Sequence, residues 1–194
     1  MTTSDKHADI LQAALELIVE RGFHDAPMSE IAEKAHVAAG TIYRYFENKD
    51  VLINDLFQEI EDKLMAVLLD NYPQGEPVKE QFFHVFGELC RYLLIHPLHF
   101  RYMEQFFNSP YGISKRRDKI SGKATNYRKH DTLAEIFKEG ISQQILKDLP
   151  VVVLSSLAIG PMLYVIRDHT LGFVVLEESL IRQMTEACWD AIKR

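Results

Sequence analysis

Between Gly22 and Lys49 the sequence writes two short helices around a tight turn, and this stretch constrains the fold more than any other part of the chain. Ahead of it, ADILQAALELIVER (residues 8–21) sets Ile10, Leu11, Ala14, Leu17 and Ile18 at helical spacing, with Asp9, Gln12, Glu16 and Glu20 on the other side. Gly22 follows as a helix C-cap would. Pro27 suits the first turn of the next helix, where a missing N–H costs nothing. The second helix is expected from Pro27 to about His36, with Ile31, Ala32 and Ala35 as its apolar side. VAAG then leads into TIYRYFEN, a third short helix expected to begin near Ala39 and end before Lys49. Two short helices joined by a tight turn containing glycine make a helix-turn-helix unit.

The remainder reads as helix after helix. From Lys49, Leu52, Leu56, Ile60, Leu64 and Leu68 repeat every four residues, with neither Gly nor Pro until Pro73, so a connecting helix over 49–70 is expected. NYPQGEPV (71–78) reads as a turn. Helical periodicity resumes through Phe82, Phe86, Leu89 and Leu93 and breaks at His96-Pro97. Residues 98–107 carry Phe100, Tyr102, Met103, Phe106 and Phe107, and Asn108-Ser109-Pro110-Tyr111-Gly112 reads as the end of that segment. Between Lys115 and Lys129 seven basic residues meet one acid, Asp118, which reads as a partly exposed, solvated loop rather than a site. Three further helices are expected at about 122–141, 147–169 and 177–193. No strand, repeat or low-complexity tract is visible. The fold class is all-α: a helix-turn-helix domain over residues 1–50 and a helical ligand-binding and dimerisation domain over 51–194.

Composition removes several alternatives. The 194 residues are 47% apolar and 26% charged, the usage of a chain that folds around a core. Two distant cysteines, Cys90 and Cys188, fit a reducing cytoplasm better than a disulfide scaffold. The N-terminus lacks the basic and apolar regions of a signal peptide. The longest apolar run, Val151 to Ile166, is 16 residues with two serines and reads as a buried helix, short of a bilayer span. The net charge of −6, and five basic against nine acidic residues in 1–50, count against nucleic acid as partner unless charge is placed locally.

Local placement is what HVAAGTIYRYF (36–46) provides, because its one fixed charge is Arg44, with Lys49 just outside. On a helix starting near Ala39, small residues at Ala39 and Gly40 let the backbone approach base edges. Thr41, Tyr43, Arg44 and Tyr45 supply hydroxyls and a guanidinium, while Ile42 and Phe46 anchor the inner face. The stretch from Gly22, running through SEIAEKAHVAAGTIYRYFENKDVL, resembles the DNA-binding segment of TetR-family transcriptional regulators. The resemblance rests on Ile31-Ala32, Gly40, Tyr43, Tyr45, Phe46 and Lys49, and it extends over the rest of the chain by helical layout alone. It implies a homodimer on a double-stranded palindromic operator, released when a small-molecule effector enters the C-terminal domain. Two positions depart from the family pattern. Pro27 stands where Ser or Thr usually caps the second helix and touches a phosphate, so that contact is lost or passes to Ser29. His36 stands where Gly is frequent, which calls for a different turn backbone or a left-handed histidine.

The DNA surface is accordingly expected on Ser29, Ala39, Gly40, Thr41, Tyr43, Arg44, Tyr45 and Lys49. A mainly apolar effector cavity is expected among the helices at 49–70, 79–95, 98–108, 122–141 and 147–169, lined by Phe86, His99, Tyr102, Met103, Phe106, Tyr127, Met162 and Ile166; packed core explains the same residues about as well. The dimer is expected through helices 147–169 and 177–193, with Leu180, Met184, Cys188 and Ile192 as the second stripe and Gly160-Pro161 kinking the first helix or allowing close approach. His96 and His99 have H-x-x-H spacing, but Pro97 interrupts the helix and no carboxylate is in register, so no metal and no cofactor is expected. No catalytic motif is present, which argues against an enzyme. A helical enzyme or carrier would need no exposed Gly-Thr-x-Tyr-Arg-Tyr face, whereas an activator would keep it.

Overall fold

The computed structural model describes residues 3–120 and 132–194, and among them ten helices and no strand. They run α1 (Thr3–Arg21), α2 (Met28–Lys34), α3 (Ala39–Tyr45), α4 (Lys49–Leu69), α5 (Val78–Ile95), α6 (Pro97–Phe107), α7 (Pro110–Ile120), α8 (Thr132–Ser142), α9 (Val151–Thr170) and α10 (Glu178–Ile192). The chain divides into two units, Met1–Lys63 with His96–Thr125, and Leu64–Ile95 with Asn126–Arg194. This division differs from the expected break at residue 50, because α6 and α7 pack with the helix-turn-helix although they lie far along the sequence.

In the first unit α1 is the hub, with Ile10, Leu11, Ala14, Leu17 and Ile18 buried as its periodicity requires. It packs on α2 and α6, and α2 packs on α3. Ile31, Ala32, Ile42, Phe46, Leu52, Ile53, Phe57, Tyr102 and Phe106 complete one continuous core. Helix α7 begins where the sequence suggested a terminator. Pro110 occupies its first position, which a proline tolerates because that N–H needs no helical acceptor. Gly112 permits the α6–α7 elbow, since a Cβ there would lie 2.3 Å from the Phe106 carbonyl oxygen. The basic residues Lys115, Arg116 and Arg117 therefore sit on a helix rather than a loop. Lys115 is half-buried, reaching Glu61 on α4 at 3.4 Å and lying 3.7 Å over the Phe57 ring. The rest of the basic run, from residue 121, lies outside the described residues.

In the second unit α10 packs on α9 and α5, and α8 on α5 and α9. Phe82 centres this core, 5.2 Å from Phe86 and 5.3 Å from Trp189. One expectation about the last helices changes. Helix α9 is not a buried helix: it spans 20 residues, long and apolar enough in composition to cross a membrane, and only Leu154, Ala158, Met162 and Ile166 are buried, a single i, i+4 line. Val152, Val153, Leu157 and Tyr164 are exposed. On α10 the expected stripe Leu180, Met184, Cys188, Ile192 runs from half-buried to buried. Leu180 and Met184 are half-buried, while Cys188 and Ile192 face the interior with Ile181, Thr185 and Trp189. Pro161 sits inside a continuous α9, and its missing N–H leaves the Leu157 carbonyl without a helical donor.

Candidate nucleic-acid interface

The helix-turn-helix is assembled from backbone bonds that the sequence dictates locally. Gly22, at φ +83, closes α1 by donating from its N–H to the Ile18 carbonyl at 2.7 Å. Pro27 is the N-cap of α2 with no side-chain cap, so the phosphate-touching hydroxyl usual in the family is absent there, and Ser29 stands exposed two residues on. At the other end of α2, Val37 N–H donates to the Ala32 carbonyl at 2.9 Å and His36 N–H to the Glu33 carbonyl at 3.0 Å. That pair of bonds is a Schellman turn, which needs a left-handed residue at the position of His36. His36 adopts it, at φ +54, in place of the glycine that would do so without strain.

Helix α3 is seven residues long and is held by its inner face alone. Ile42 within it and Phe46 at its C-cap are fully buried, while Ala39, Gly40, Tyr43 and Arg44 are exposed and Thr41 and Tyr45 half-buried. A Cβ at Gly40 would meet nothing within 4 Å, so a double helix can come close to the backbone there. Arg44 makes no ion pair with any described residue, which leaves its charge available. Neighbouring charges are paired off instead. Arg21 meets Glu30 at 2.5 Å, and Lys34 meets Glu16 at 2.9 Å, tying α1 to α2. Those acids are thereby neutralised without drawing on Arg44. Tyr45 lies 6.2 Å from the His7 ring, and His7 reaches Asp55 on α4 at 3.0 Å.

Lys49 opens α4 half-buried, its Nζ donating to the His24 carbonyl at 3.4 Å. Burial pulls its pKa down, and Asp25 and Asp50 oppose that shift. The cation therefore stands between the α1–α2 turn and the start of α4, beside two carboxylates. The eight residues named from sequence for a DNA surface thus fall on α2, α3 and the first residue of α4, within one unit.

Of the eight expected cavity residues, four fall in the first unit, three in the second and one outside the described residues. Tyr102 and Phe106 are core residues of the helix-turn-helix unit, and Met103 packs partly buried against them. The Tyr102 hydroxyl donates to the Ile53 carbonyl at 2.7 Å, and burial keeps its phenol protonated. His99 lines a small groove of about 230 Å³ between α1 and α4, and burial with nearby His96 and Lys63 pushes its pKa down to about 4. His96 and His99 stack at 5.0 Å, and no group of three metal-ligating side chains occurs among the described residues. Phe86, Met162 and Ile166 are buried in the second unit. Tyr127 lies outside the described residues. The second unit also carries an open groove of about 700 Å³ lined by Ala66, Val67, Leu69, Asp70, Asn71, His84 and Glu88, none of them an expected lining residue.

Sequence reasoning missed the residues that fix this unit from α6 and α7. Arg101 and Gln105 both donate to the Val19 carbonyl at 3.3 Å, and the Tyr111 hydroxyl donates to Asp50 Oδ1 at 2.6 Å. No local signal marks them, because their partners lie 61 to 86 residues away.

Residues 10–56 match the family of bacterial regulatory proteins called tetR, and residues 77–193 match the tetracyclin repressor-like C-terminal domain. Over 76 residues the chain is 37% identical to the fatty acid metabolism regulator protein of Bacillus subtilis (strain 168), a match spanning 39% of this chain and 39% of that protein. It is 29% identical over 107 residues to an HTH-type transcriptional regulator of Haemophilus influenzae, spanning 55% of this chain and 57% of that one. The matched part thus covers less than two thirds of either relative. A TetR family transcription regulator from Marinobacter aquaeolei VT8 has the same fold, with a TM-score of 0.83 at 22% identity over 98% of this chain and 96% of that one. With a family C-terminal domain following a family helix-turn-helix, this chain belongs to the TetR family of bacterial transcriptional regulators, which bind DNA and are not enzymes.

Proposed function

We propose that the chain is a cytoplasmic repressor that binds a palindromic operator as a homodimer and leaves it when a small apolar or aromatic effector occupies the second unit. The observation that carries the DNA reading is the α3 face. There an open Gly40 backbone, the Thr41 and Tyr43 hydroxyls and an unneutralised Arg44 stand on a helix whose other side is locked by Ile42 and Phe46. Tyr43, Tyr45, Ser29 and Lys49 position phosphates, Arg44 reads a guanine, and Thr41 meets a thymine methyl or a phosphate, with the backbone at Ala39 and Gly40 lying close to the groove.

The exposed side of α9 supports the dimer. Val153, Leu157, Gly160 and Tyr164 form an exposed apolar stripe, and half-buried Leu180 and Met184 with exposed Ala187 continue it on α10. Two copies would bury these stripes in a four-helix bundle about a two-fold axis. The effector is assigned to the second unit, around Phe86, Met162 and Ile166. A compound favouring the released state by about 2.7 kcal/mol would weaken operator binding roughly a hundredfold.

Selection of bound sequences from random duplex DNA tests the reading. It should return a palindrome, on which Arg44→Ala costs about 1–3 kcal/mol and relaxes one base preference, while Lys49→Ala weakens all duplexes and flattens the salt slope by about one. A thermal-shift screen should then include aromatic, lipophilic and long-chain acyl compounds, the last because one relative is named for fatty acid metabolism. Operator affinity unchanged in both mutants would falsify the DNA assignment.

A further inference from the structure

We propose that Tyr111 is a positioning residue for operator binding, closing the neck of the helix-turn-helix so that α3 is presented at a fixed angle. This rests on the reading above that α3 enters the DNA. The chain enters the motif at Phe23 and His24 and leaves it at Lys49 and Asp50, and these two ends are tied twice. Lys49 donates to the His24 carbonyl, a flexible side chain at a long 3.4 Å. Tyr111 makes the second tie from outside the motif. Its ring lies 5.5 Å from the Phe23 ring at the entry, and its hydroxyl donates to Asp50 Oδ1 at 2.6 Å at the exit.

The support behind Tyr111 is rigid. Its half-buried ring stacks on Phe106 at 6.3 Å and 20°, against the core of the unit. The next residue, Gly112, abuts the Phe106 backbone so closely that no side chain fits, which leaves the Tyr111 backbone little room to shift. Helix α6 is itself bolted to α1 through the Val19 carbonyl and to α4 through the Ile53 carbonyl. The acceptor is equally well placed. Asp50 lies in the first turn of α4, where free N–H groups favour a carboxylate, and Asn48 caps the same turn by accepting from Val51 N–H at 2.9 Å. Burial and the Asp50 carboxylate push the Tyr111 phenol up to about 12, so it stays a donor.

Helix α3 is only seven residues long and is anchored by two buried side chains, Ile42 and Phe46, so its angle also depends on how the two ends of the motif are fixed. Base-edge hydrogen bonds depend on that orientation, whereas contacts to a continuous phosphate backbone do not. Loosening the neck should therefore lower sequence preference rather than general affinity for DNA.

The test uses the full chain, the duplex selected by the wild-type protein and a random-sequence duplex of the same length. Tyr111→Phe keeps the ring packing and removes the hydroxyl. It should bind the selected duplex about fivefold more weakly, leave the random duplex within about twofold, and keep the salt slope. Asp50→Asn retains an oxygen acceptor and should hold the ratio of selected to random affinity at the wild-type value. Asp50→Ala should lose the ratio as Tyr111→Phe does, and the double mutant should lose no more. Wild-type selected affinity in Tyr111→Phe, or equal weakening on both duplexes, overturns the proposal. Arg44→Ala run alongside separates the two levels. If it too binds like wild type, the α3 reading has failed; if it alone loses affinity, the neck has failed.

Discussion

Helices α6 and α9 are both rich in large apolar residues, yet they use them in opposite ways. On α6, Phe100, Tyr102 and Phe106 are buried, and Phe106 stacks on Phe57 at 4.0 Å in the core that carries the helix-turn-helix. On α9 one line is buried and Val152, Val153, Leu157 and Tyr164 stand in solvent. The contrast teaches that apolar content tells how much a helix must cover, and its surroundings tell what covers it. For α6 the cover is its own chain; for α9 we assign it to a second copy.

The comparison breaks most sharply at Phe106. Phe106→Ala should cost about 3–5 kcal/mol in denaturant melts and abolish operator binding with it, because one core serves both ends. A loss under about 1 kcal/mol would mean that α6 is not the floor of the DNA-binding unit.

Leu157→Glu probes the other side. It should leave helix content intact while the chain sediments at 22.4 kDa, and operator affinity should fall at least about tenfold, or 1.4 kcal/mol. A mutant that still sediments at twice that mass would remove the α9 stripe from the interface.

His36→Gly sharpens the picture within the first unit by relieving a left-handed residue, and should raise stability by about 1 kcal/mol at unchanged helix content. A lower melting temperature would show that the His36 side chain contributes more than its backbone costs.

The smallest effect is expected in the second unit, where Arg91 pairs with both Glu178 and Glu88. The hydrogen bond from Arg91 holds the Glu178 carboxyl below its usual 4.5. Its contribution is therefore present above that value and lost as pH falls through the depressed one. Both side chains are substantially exposed, so it amounts to at most about 1 kcal/mol. Glu178→Gln should flatten the acid arm of a stability profile taken between about pH 3 and 7, and an arm as steep as wild type would assign it to other carboxylates.

The helix-turn-helix was legible almost residue by residue, down to the buried pair Ile42 and Phe46 and the left-handed alternative at His36. Its signals act within about four residues of chain: a proline that needs no donor partner, a glycine that tolerates φ above zero, an apolar side chain every third or fourth position. Helix α7 was hidden by the same rules, because Pro110 and Gly112 serve a helix start and a tight elbow as readily as a helix end. The placement of four residues named for a cavity was hidden for a different reason. His99, Tyr102, Met103 and Phe106 are adjacent in sequence to a second-unit helix, but they pack in the first unit.

Sequence by itself determined the helix-turn-helix, its buried pair Ile42 and Phe46 and the TetR-family resemblance, all of which depend on residue type at short spacing. Only the tertiary structure decided that α6 and α7 join the helix-turn-helix, that α9 shows one apolar face to solvent, and that Tyr111 meets Asp50. Burial and hydrogen bonding across 49 or 61 residues depend on which surfaces the folded chain brings together, and spacing along the sequence carries no record of that choice.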